Sequence, residues 1–185
     1  MMKIFSLPSI KKYMTKLPKF LVLAVTFLFF SLCSSAQFKL PKVLAFGNFT
    51  YANPTGDFKN NYNNGTGFEI GAGLGFGKTL ITASTGSMKY QAVSSNALGD
   101  LKVTPIKAGI RQYLLLGLFI NGDVGYAIQS YTKSSNTSSN FLYEIGGWIK
   151  FLGVIELGVA YTGWQTPAST NANALLFKGG LAIKL

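Results

Sequence analysis

The chain has 185 residues, enough for one domain with its own core, and only 12% of them are charged, against 48% hydrophobic and 14% aromatic residues. Ordinary soluble domains carry about a quarter charged residues, so this composition argues against a fully water-exposed surface. The net charge of +11 overstates the basic character of the domain, because five of the 17 basic residues precede residue 20. The other 12 basic and 6 acidic residues leave a mild excess, and we expect no nucleic-acid partner.

Residues 1–36 have the pattern of a cleavable secretory signal peptide. Five lysines precede the uncharged apolar run from Phe20 to Cys33, and the small residues "SSA" at 34–36 follow it. The run of 14 residues is short for a membrane-spanning helix, which needs about 20. We therefore expect cleavage after Ala36 rather than a membrane anchor, with Met14 as an alternative start of translation. The mature domain is then 37–185.

The residue types exclude most catalytic chemistry. The chain has no histidine, and its one cysteine, Cys33, lies in the predicted leader. Ser-His triads, Cys-His pairs and histidine-based metal sites are therefore absent from the mature domain. The glycines of "GAGLGFG" are spaced by two and no helix follows them, unlike a dinucleotide fingerprint. We expect no enzyme, no cofactor and no metal.

Apolar residues recur with a period of two in eight segments after residue 37, and no amphipathic helical period is found. The segments have 10 to 14 residues, longer than the usual strand of about five or six. A strand that crosses a bilayer at a tilt needs about 9 to 11. The predicted strands are Val43–Ala52, Gly65–Phe76, Thr79–Gln91, Leu101–Leu114, Leu118–Tyr131, Asn140–Lys150, Gly153–Trp164 and Ala174–Leu185.

The links between these segments alternate in length. Short turns lie at "FGKT", "LLLG" and "KFLG", and longer polar links at "NPTGDFKNNYNNGT", "AVSSNALGD", "TKSSNTSSN" and "QTPASTNAN". Outer-membrane barrels have short periplasmic turns and longer extracellular loops. The pattern predicts an all-β protein, an eight-stranded antiparallel up-and-down transmembrane β-barrel with both ends on the periplasmic side.

Alternation alone leaves open which face of each strand points outward. A soluble barrel needs a charged exterior, whereas the polar face here is mostly Gly, Ala, Ser and Thr with one or two charges per strand. The interior of an eight-stranded barrel is just wide enough for side chains, so glycines there make room for long ones. In "GFEIGAGLGFG" we therefore predict that Glu69 points into the lumen and that Phe68, Ile70, Leu74 and Phe76 face lipid. A soluble exported barrel is the alternative.

Charged residues within the predicted strands share the polar face. A basic side chain on the lipid face costs roughly 2 to 4 kcal/mol at the bilayer midplane, and buried charges persist when they are paired. The sequence thus predicts a lumenal charge network of Glu69, Lys107, Arg111, Asp123, Glu144, Lys150, Glu156 and Lys178. Nine aromatics near strand ends are predicted to form interfacial girdles: Tyr51, Phe68, Tyr90, Tyr113, Tyr131, Phe141, Phe151, Tyr161 and Trp164.

Two stretches carry a family resemblance: "YANPTGDFKNNYNNGTGFEIGAGLGF", with Pro54, Gly56, Asp57 and Phe58, and "VTPIKAGIRQYL". They resemble the small bacterial outer-membrane β-barrel domain family, which includes OmpX-like barrels. The resemblance implies an address in the cell outer membrane, contact with outer-membrane lipid and assembly by the barrel-assembly machinery. Such chains often end in Phe, whereas this one ends in Leu185.

The sequence leaves two roles open for such a barrel. One is a structural or surface-interaction role through four extracellular loops, with a plugged polar lumen and, as we expect, a monomeric protein. The alternative is a narrow porin-like channel for small solutes. Eight strands leave little aperture, and paired charges in the lumen would close it, so the first role is favoured.

Overall fold

The computed structural model describes residues 40–94, 96–166 and 171–184, which form a closed antiparallel barrel of eight strands. Each strand pairs with its neighbours in chain order, and the last pairs with the first. The predicted fold class is confirmed, while the predicted leader and Leu185 lie outside the described residues. The strands are β1 Lys42–Thr55, β2 Tyr62–Phe76, β3 Thr79–Ala92, β4 Leu101–Tyr113, β5 Leu118–Tyr131, β6 Ser134–Phe151, β7 Ile155–Gln165 and β8 Asn171–Lys184.

The strand bounds differ from the predicted ones mainly at the end with the longer links. The link "TKSSNTSSN" is a turn of only Thr132 and Lys133, after which Ser134–Asn140 continue β6. The first link contains a 3-10 helix, Gly56–Asn60. Ladder hydrogen bonds come from the backbone, so a run of Ser, Thr and Asn can extend a strand. Within the described residues, no helix is long and apolar enough to cross a bilayer.

The turns at the opposite end have unusually apolar tips. Leu116 and Gly117 have φ angles of 52° and 82°, and Leu152 and Gly153 have 48° and 75°. Two successive positive φ angles are typical of tight hairpin turns, where Asn-Gly is the usual pair. A leucine in this conformation costs about 1 kcal/mol or more, and Leu116 is 96% exposed. Such tips suit a position at the membrane edge rather than in bulk water.

The alternating pattern sorts side chains by face on every strand. On β2, Glu69 is buried inside while Phe68, Ile70, Leu74 and Phe76 point outward with more than half of their surface exposed. The same exposed apolar exterior continues over β4 to β8, as for Ile145, Leu157 and Ile183. The sidedness predicted from the sequence is confirmed. A belt of exposed Leu, Ile, Val and Phe around a closed barrel is suited to hydrocarbon, and the barrel is a transmembrane one.

The predicted aromatic girdle is wrong for four of its members. Tyr113 and Tyr131 point inward by strand parity: the ring centroid of Tyr113 lies 5.1 Å from that of the lumenal Phe119, and the Tyr131 hydroxyl donates to Gln129 Oε1 at 3.4 Å. Tyr90 and Trp164 are 1% and 4% exposed and lie inside the barrel. Trp164 follows the inward Thr162 by two residues, and Tyr90 follows the inward Met88 by two, so parity places both on the inner face. Five members point outward and are exposed: Tyr51, Phe68, Phe141, Phe151 and Tyr161.

Glycines on the inner face make room for large side chains from neighbouring strands. A Cβ at Gly158 would overlap the indole of Trp148, its register partner on β6. A Cβ at Gly71 would overlap the ring of Phe46 on β1. By contrast, Gly147 points outward and would meet nothing within 4 Å.

Replacing Gly158 by valine should therefore destabilise the barrel by about 1 to 3 kcal/mol, the usual cost of overpacking an interior. The matched control is Gly147→Val, which adds the same atoms on the outer face of the adjacent strand and should leave stability unchanged or raised. Urea unfolding of protein reconstituted in lipid vesicles measures both. Equal losses for the two variants would contradict the role assigned to Gly158.

Candidate functional site: the barrel lumen

The lumen is filled by three layers of inward side chains. A lower layer near the short turns contains Phe46, Arg111, Phe119, Trp148 and Glu156. A middle layer contains Glu69, Lys107, Glu144 and Lys178. An upper layer at the end with the longer links contains Phe58, Tyr62, Tyr90 and Trp164. All of these side chains are less than 10% exposed.

The middle layer is a closed ring of two carboxylates and two ammonium groups. Lys107 Nζ lies 2.9 Å from Glu69 Oε2 and 2.8 Å from Glu144 Oε2. Lys178 Nζ lies 2.9 Å from the same Glu69 oxygen and also pairs with Glu144 Oε1. Each charge therefore has two opposite neighbours, and the ring is neutral. This satisfies the condition under which buried charges are tolerated.

Asp123 lies beside this ring without joining it. Its carboxylate is 6% exposed, and Oδ1 accepts a hydrogen bond from Thr82 Oγ1 at 3.5 Å. The side chain extends over Gly109, where a Cβ would overlap Oδ1. Asp123 is thus a lumenal carboxylate whose closest polar contact is a neutral hydroxyl.

The lower layer is built around a second ion pair. Arg111 Nη1 lies 3.0 Å from both Oε1 and Oε2 of Glu156, and both side chains are fully buried. Lys150 Nζ lies 3.6 Å from Glu156 Oε1 and donates to the carbonyl of Ala182 at 2.9 Å. The structure therefore places all eight predicted charged residues in the lumen, and seven of them form two groups.

Aromatic rings hold the guanidinium of Arg111 in place. Its Cζ lies 4.8 Å from the ring centroid of Phe46 and 4.4 Å from that of Phe119. Phe119 in turn stacks on Trp148, with centroids 5.7 Å apart and planes 7° apart. Such cation–π contacts are stronger in desolvated sites. The guanidinium and these three rings therefore form one packed stack in the lower lumen.

The upper layer was not predicted from the sequence. Phe58 projects inward from the 3-10 helix, is 3% exposed, and has ring centroids 5.0 Å from Tyr62, 5.1 Å from Tyr90 and 5.4 Å from Trp164. Parity along β3 and β7 could have placed Tyr90 and Trp164 inside. Phe58 lies in a link without strand periodicity, so no sequence pattern pointed to it.

Little space remains between these layers. A cavity of about 30 Å³ lies between the middle and upper layers, where Glu69, Lys107, Tyr90 and Trp164 contribute to its walls. That volume admits about one water molecule. In the part of the chain described here, no cluster of His, Cys, Asp and Glu is arranged to hold a metal ion. The arrangement can hold charge in a low-dielectric interior, but it offers no binding volume for a solute.

Solved structures provide the comparison for this architecture, since no protein-family model and no curated protein matches the chain. The N-terminal β-barrel domain of Pseudomonas aeruginosa OprF superposes with a TM-score of 0.54 at 13% identity, covering 76% of this chain and 97% of that one. The chain has the fold of the small outer-membrane β-barrels. Yersinia pestis Ail in a nanodisc gives 0.53 at 13% identity over 76% and 99%, and Neisserial surface protein A gives 0.50 at 15% over 78% and 97%.

Replacing one partner of the lower ion pair should lower the stability of the barrel more than replacing both partners. Glu156→Gln leaves Arg111 buried without a carboxylate, so we expect a loss of about 3 to 5 kcal/mol in the free energy of unfolding. Arg111→Met together with Glu156→Gln should lose less than Glu156→Gln alone. Urea unfolding in vesicles, followed by the fluorescence of the lumenal tryptophans, measures both variants and Arg111→Met. If the loss of unfolding free energy in the double variant equalled the sum of the losses in Glu156→Gln and Arg111→Met, the two side chains would not be coupled.

Proposed function

We propose that this chain is an integral outer-membrane protein with a closed lumen, which acts as a structural or surface-interaction barrel through the loops at its longer-link end. The observation that carries the proposal is the combination of an apolar exterior with an interior filled from end to end by three layers. A filled lumen leaves the loops and the outer wall as the surfaces that can meet a partner.

The comparisons support the same cellular address. These proteins are outer-membrane and surface proteins by name, and Ail is named for attachment and invasion. These likenesses are at 11 to 15% identity and concern the fold. For this chain we propose the outer membrane as location, the barrel-assembly machinery as a transient partner and a monomeric state in lipid.

A narrow channel for small solutes is the second candidate. It is favoured by buried polar atoms of described lumenal residues that have no hydrogen-bond partner, among them Nε and Nη2 of Arg111 and Oδ1 of Asn121. Passage would require the ion ring, the aromatic stack and Phe58 to move apart together. Steady single-channel openings of the wild-type protein in a planar bilayer would favour this candidate over the plugged barrel.

An enzymatic role is disfavoured by the chemistry of the chain. Histidine is absent, and the one cysteine precedes the described residues. Three of the four buried carboxylates, Glu69, Glu144 and Glu156, are engaged with lysine or arginine in the ring and the lower pair. The fourth, Asp123, accepts a hydrogen bond from Thr82 Oγ1. Among the described residues, the space beside Glu69 and Glu144 is a cavity of only about 30 Å³.

The orientation can be tested by cysteine labelling on intact cells. Ala97→Cys lies in the exposed β3–β4 loop, and Lys78→Cys lies in the exposed β2–β3 turn at the opposite end. A membrane-impermeant maleimide should label Ala97→Cys on whole cells and Lys78→Cys only after the outer membrane is permeabilised. The parent protein, whose Cys33 lies in the predicted leader, is the control. Labelling of Lys78→Cys alone on intact cells would reverse the proposed orientation.

A further inference from the structure

Basic side chains are concentrated in one sector of the outer wall, at the end with the longer links. Lys89 on β3 and Lys102 on β4 are register partners, and both point outward and are exposed. Directly opposed cross-strand side chains have Cβ atoms about 5 Å apart, and like charges in this position are destabilising. Nothing in the fold requires this pair, because the outer face at this level tolerates neutral residues such as Thr66 on β2 and Thr137 on β6.

A third lysine is held beside this pair by the loop structure. Lys133 in the β5–β6 turn donates its backbone N–H to the carbonyl of Leu98 at 3.2 Å, and Thr132 donates its backbone N–H to the carbonyl of Asp100 at 3.0 Å. The side-chain stem of Lys133 lies against Gly99. The β3–β4 loop and this turn therefore form one platform that carries the backbone and side-chain stem of the third lysine.

One carboxylate lies among these three lysines. Asp100 Oδ2 lies 3.1 Å from Lys89 Nζ, and Oδ1 accepts a hydrogen bond from the backbone N–H of Ala92 at 3.0 Å. That hydrogen bond, with the contribution of Lys89, lowers the pKa of the Asp100 carboxyl, which stays ionised. One charge of −1 among three of +1 leaves the platform with an excess of positive charge.

The apolar belt begins directly below this platform. Ile106 lies four residues from Lys102 on β4, about 13 Å along the strand, and is half exposed on the same outer face. Phe68 on β2, also exposed, lies two residues from Thr66, the register partner of Lys89. A cationic patch above hydrocarbon-facing rings and methyl groups complements a molecule that carries a phosphate at one end and acyl chains at the other.

We propose that Lys89, Lys102 and Lys133 bind the phosphorylated headgroup of an outer-leaflet lipid, whose acyl chains lie over Phe68 and Ile106. The lipid phosphate relieves the repulsion between the opposed lysines, and the belt below supplies the apolar contact. This inference rests on the proposed outer-membrane location.

Native mass spectrometry of the full-length protein purified from membranes can count bound lipid. The probe is lipid A with its phosphates, and the comparison is the same lipid after enzymatic removal of the phosphates. The test variant is Lys89→Gln with Lys102→Gln. The charge-matched control is Lys42→Gln with Lys78→Gln, which removes two lysines at the other end, and Lys89→Arg with Lys102→Arg keeps the charge.

Wild type should bind the phosphorylated lipid and discriminate against the dephosphorylated one. A cation near a lipid surface contributes about fivefold in affinity, so the double glutamine variant should bind about 25-fold more weakly. The control and the double arginine variant should stay within about twofold of wild type. Inorganic phosphate in excess should displace the bound lipid only weakly, because phosphate alone makes no contact with the apolar belt.

Three results would overturn the proposal: equal binding by the double glutamine variant, equal binding of dephosphorylated lipid, or full displacement by inorganic phosphate. Membrane fractionation and the mobility of unheated samples in electrophoresis are measured on the same preparations. If the variant fractionates with the outer membrane as a folded barrel but binds lipid like wild type, the lipid site fails while the proposed function stands. If wild type itself does not fractionate with the outer membrane, the proposed function fails.

Discussion

The structure depends on placing seven of the eight strand charges of the barrel interior where each meets an opposite charge. Bulky apolar residues alternate with small or charged ones along each strand, so the charges collect in a lumen that lipid cannot reach. There Glu69 and Glu144 meet Lys107 and Lys178, and Glu156 meets Arg111. Each charge alone would destabilise a low-dielectric interior by several kcal/mol. Paired and hydrogen-bonded, they permit the exterior to be almost entirely apolar.

The filled lumen and the apolar outer wall both follow from the alternation of side chains along each strand. Inner-face glycines such as Gly71 and Gly158 let Phe46 and Trp148 cross the lumen. The resulting stack with Arg111 and Phe119 closes the lower half, and Phe58 closes the upper half from its short helix. Because the described lumenal side chains leave little space between them, we propose that recognition falls to the loops and to the outer wall, where the opposed pair Lys89 and Lys102 lies.

The sequence predicted the fold and the lumenal charges because both follow from a period of two. Glu69 is buried and Phe68 exposed as the alternation required, and the eight predicted charged residues lie on the inner face, Lys150 beside Glu156. Two kinds of feature were missed. Phe58 belongs to a link, where no period constrains side-chain direction. The extension of β6 through Ser134–Asn140 depends on backbone pairing with β5, for which polar residues carry no strong signal. Tyr90, Tyr113, Tyr131 and Trp164 lie inside rather than in the girdle because strand parity, and not closeness to a strand end, sets the direction of a side chain.

The claim that the apolar face of the barrel wall meets lipid and the charged face meets the lumen is tested most directly by quenching tryptophan fluorescence from within the bilayer. The chain's two tryptophans, Trp148 and Trp164, are both lumenal, whereas Phe177 points outward and is 45% exposed. In vesicles of lipids with brominated acyl chains, wild-type fluorescence should be only weakly quenched. Phe177→Trp should add emission that the brominated lipids quench strongly and aqueous iodide does not. Strong quenching of wild type by the lipid, together with quenching of the added tryptophan by iodide, would contradict the account.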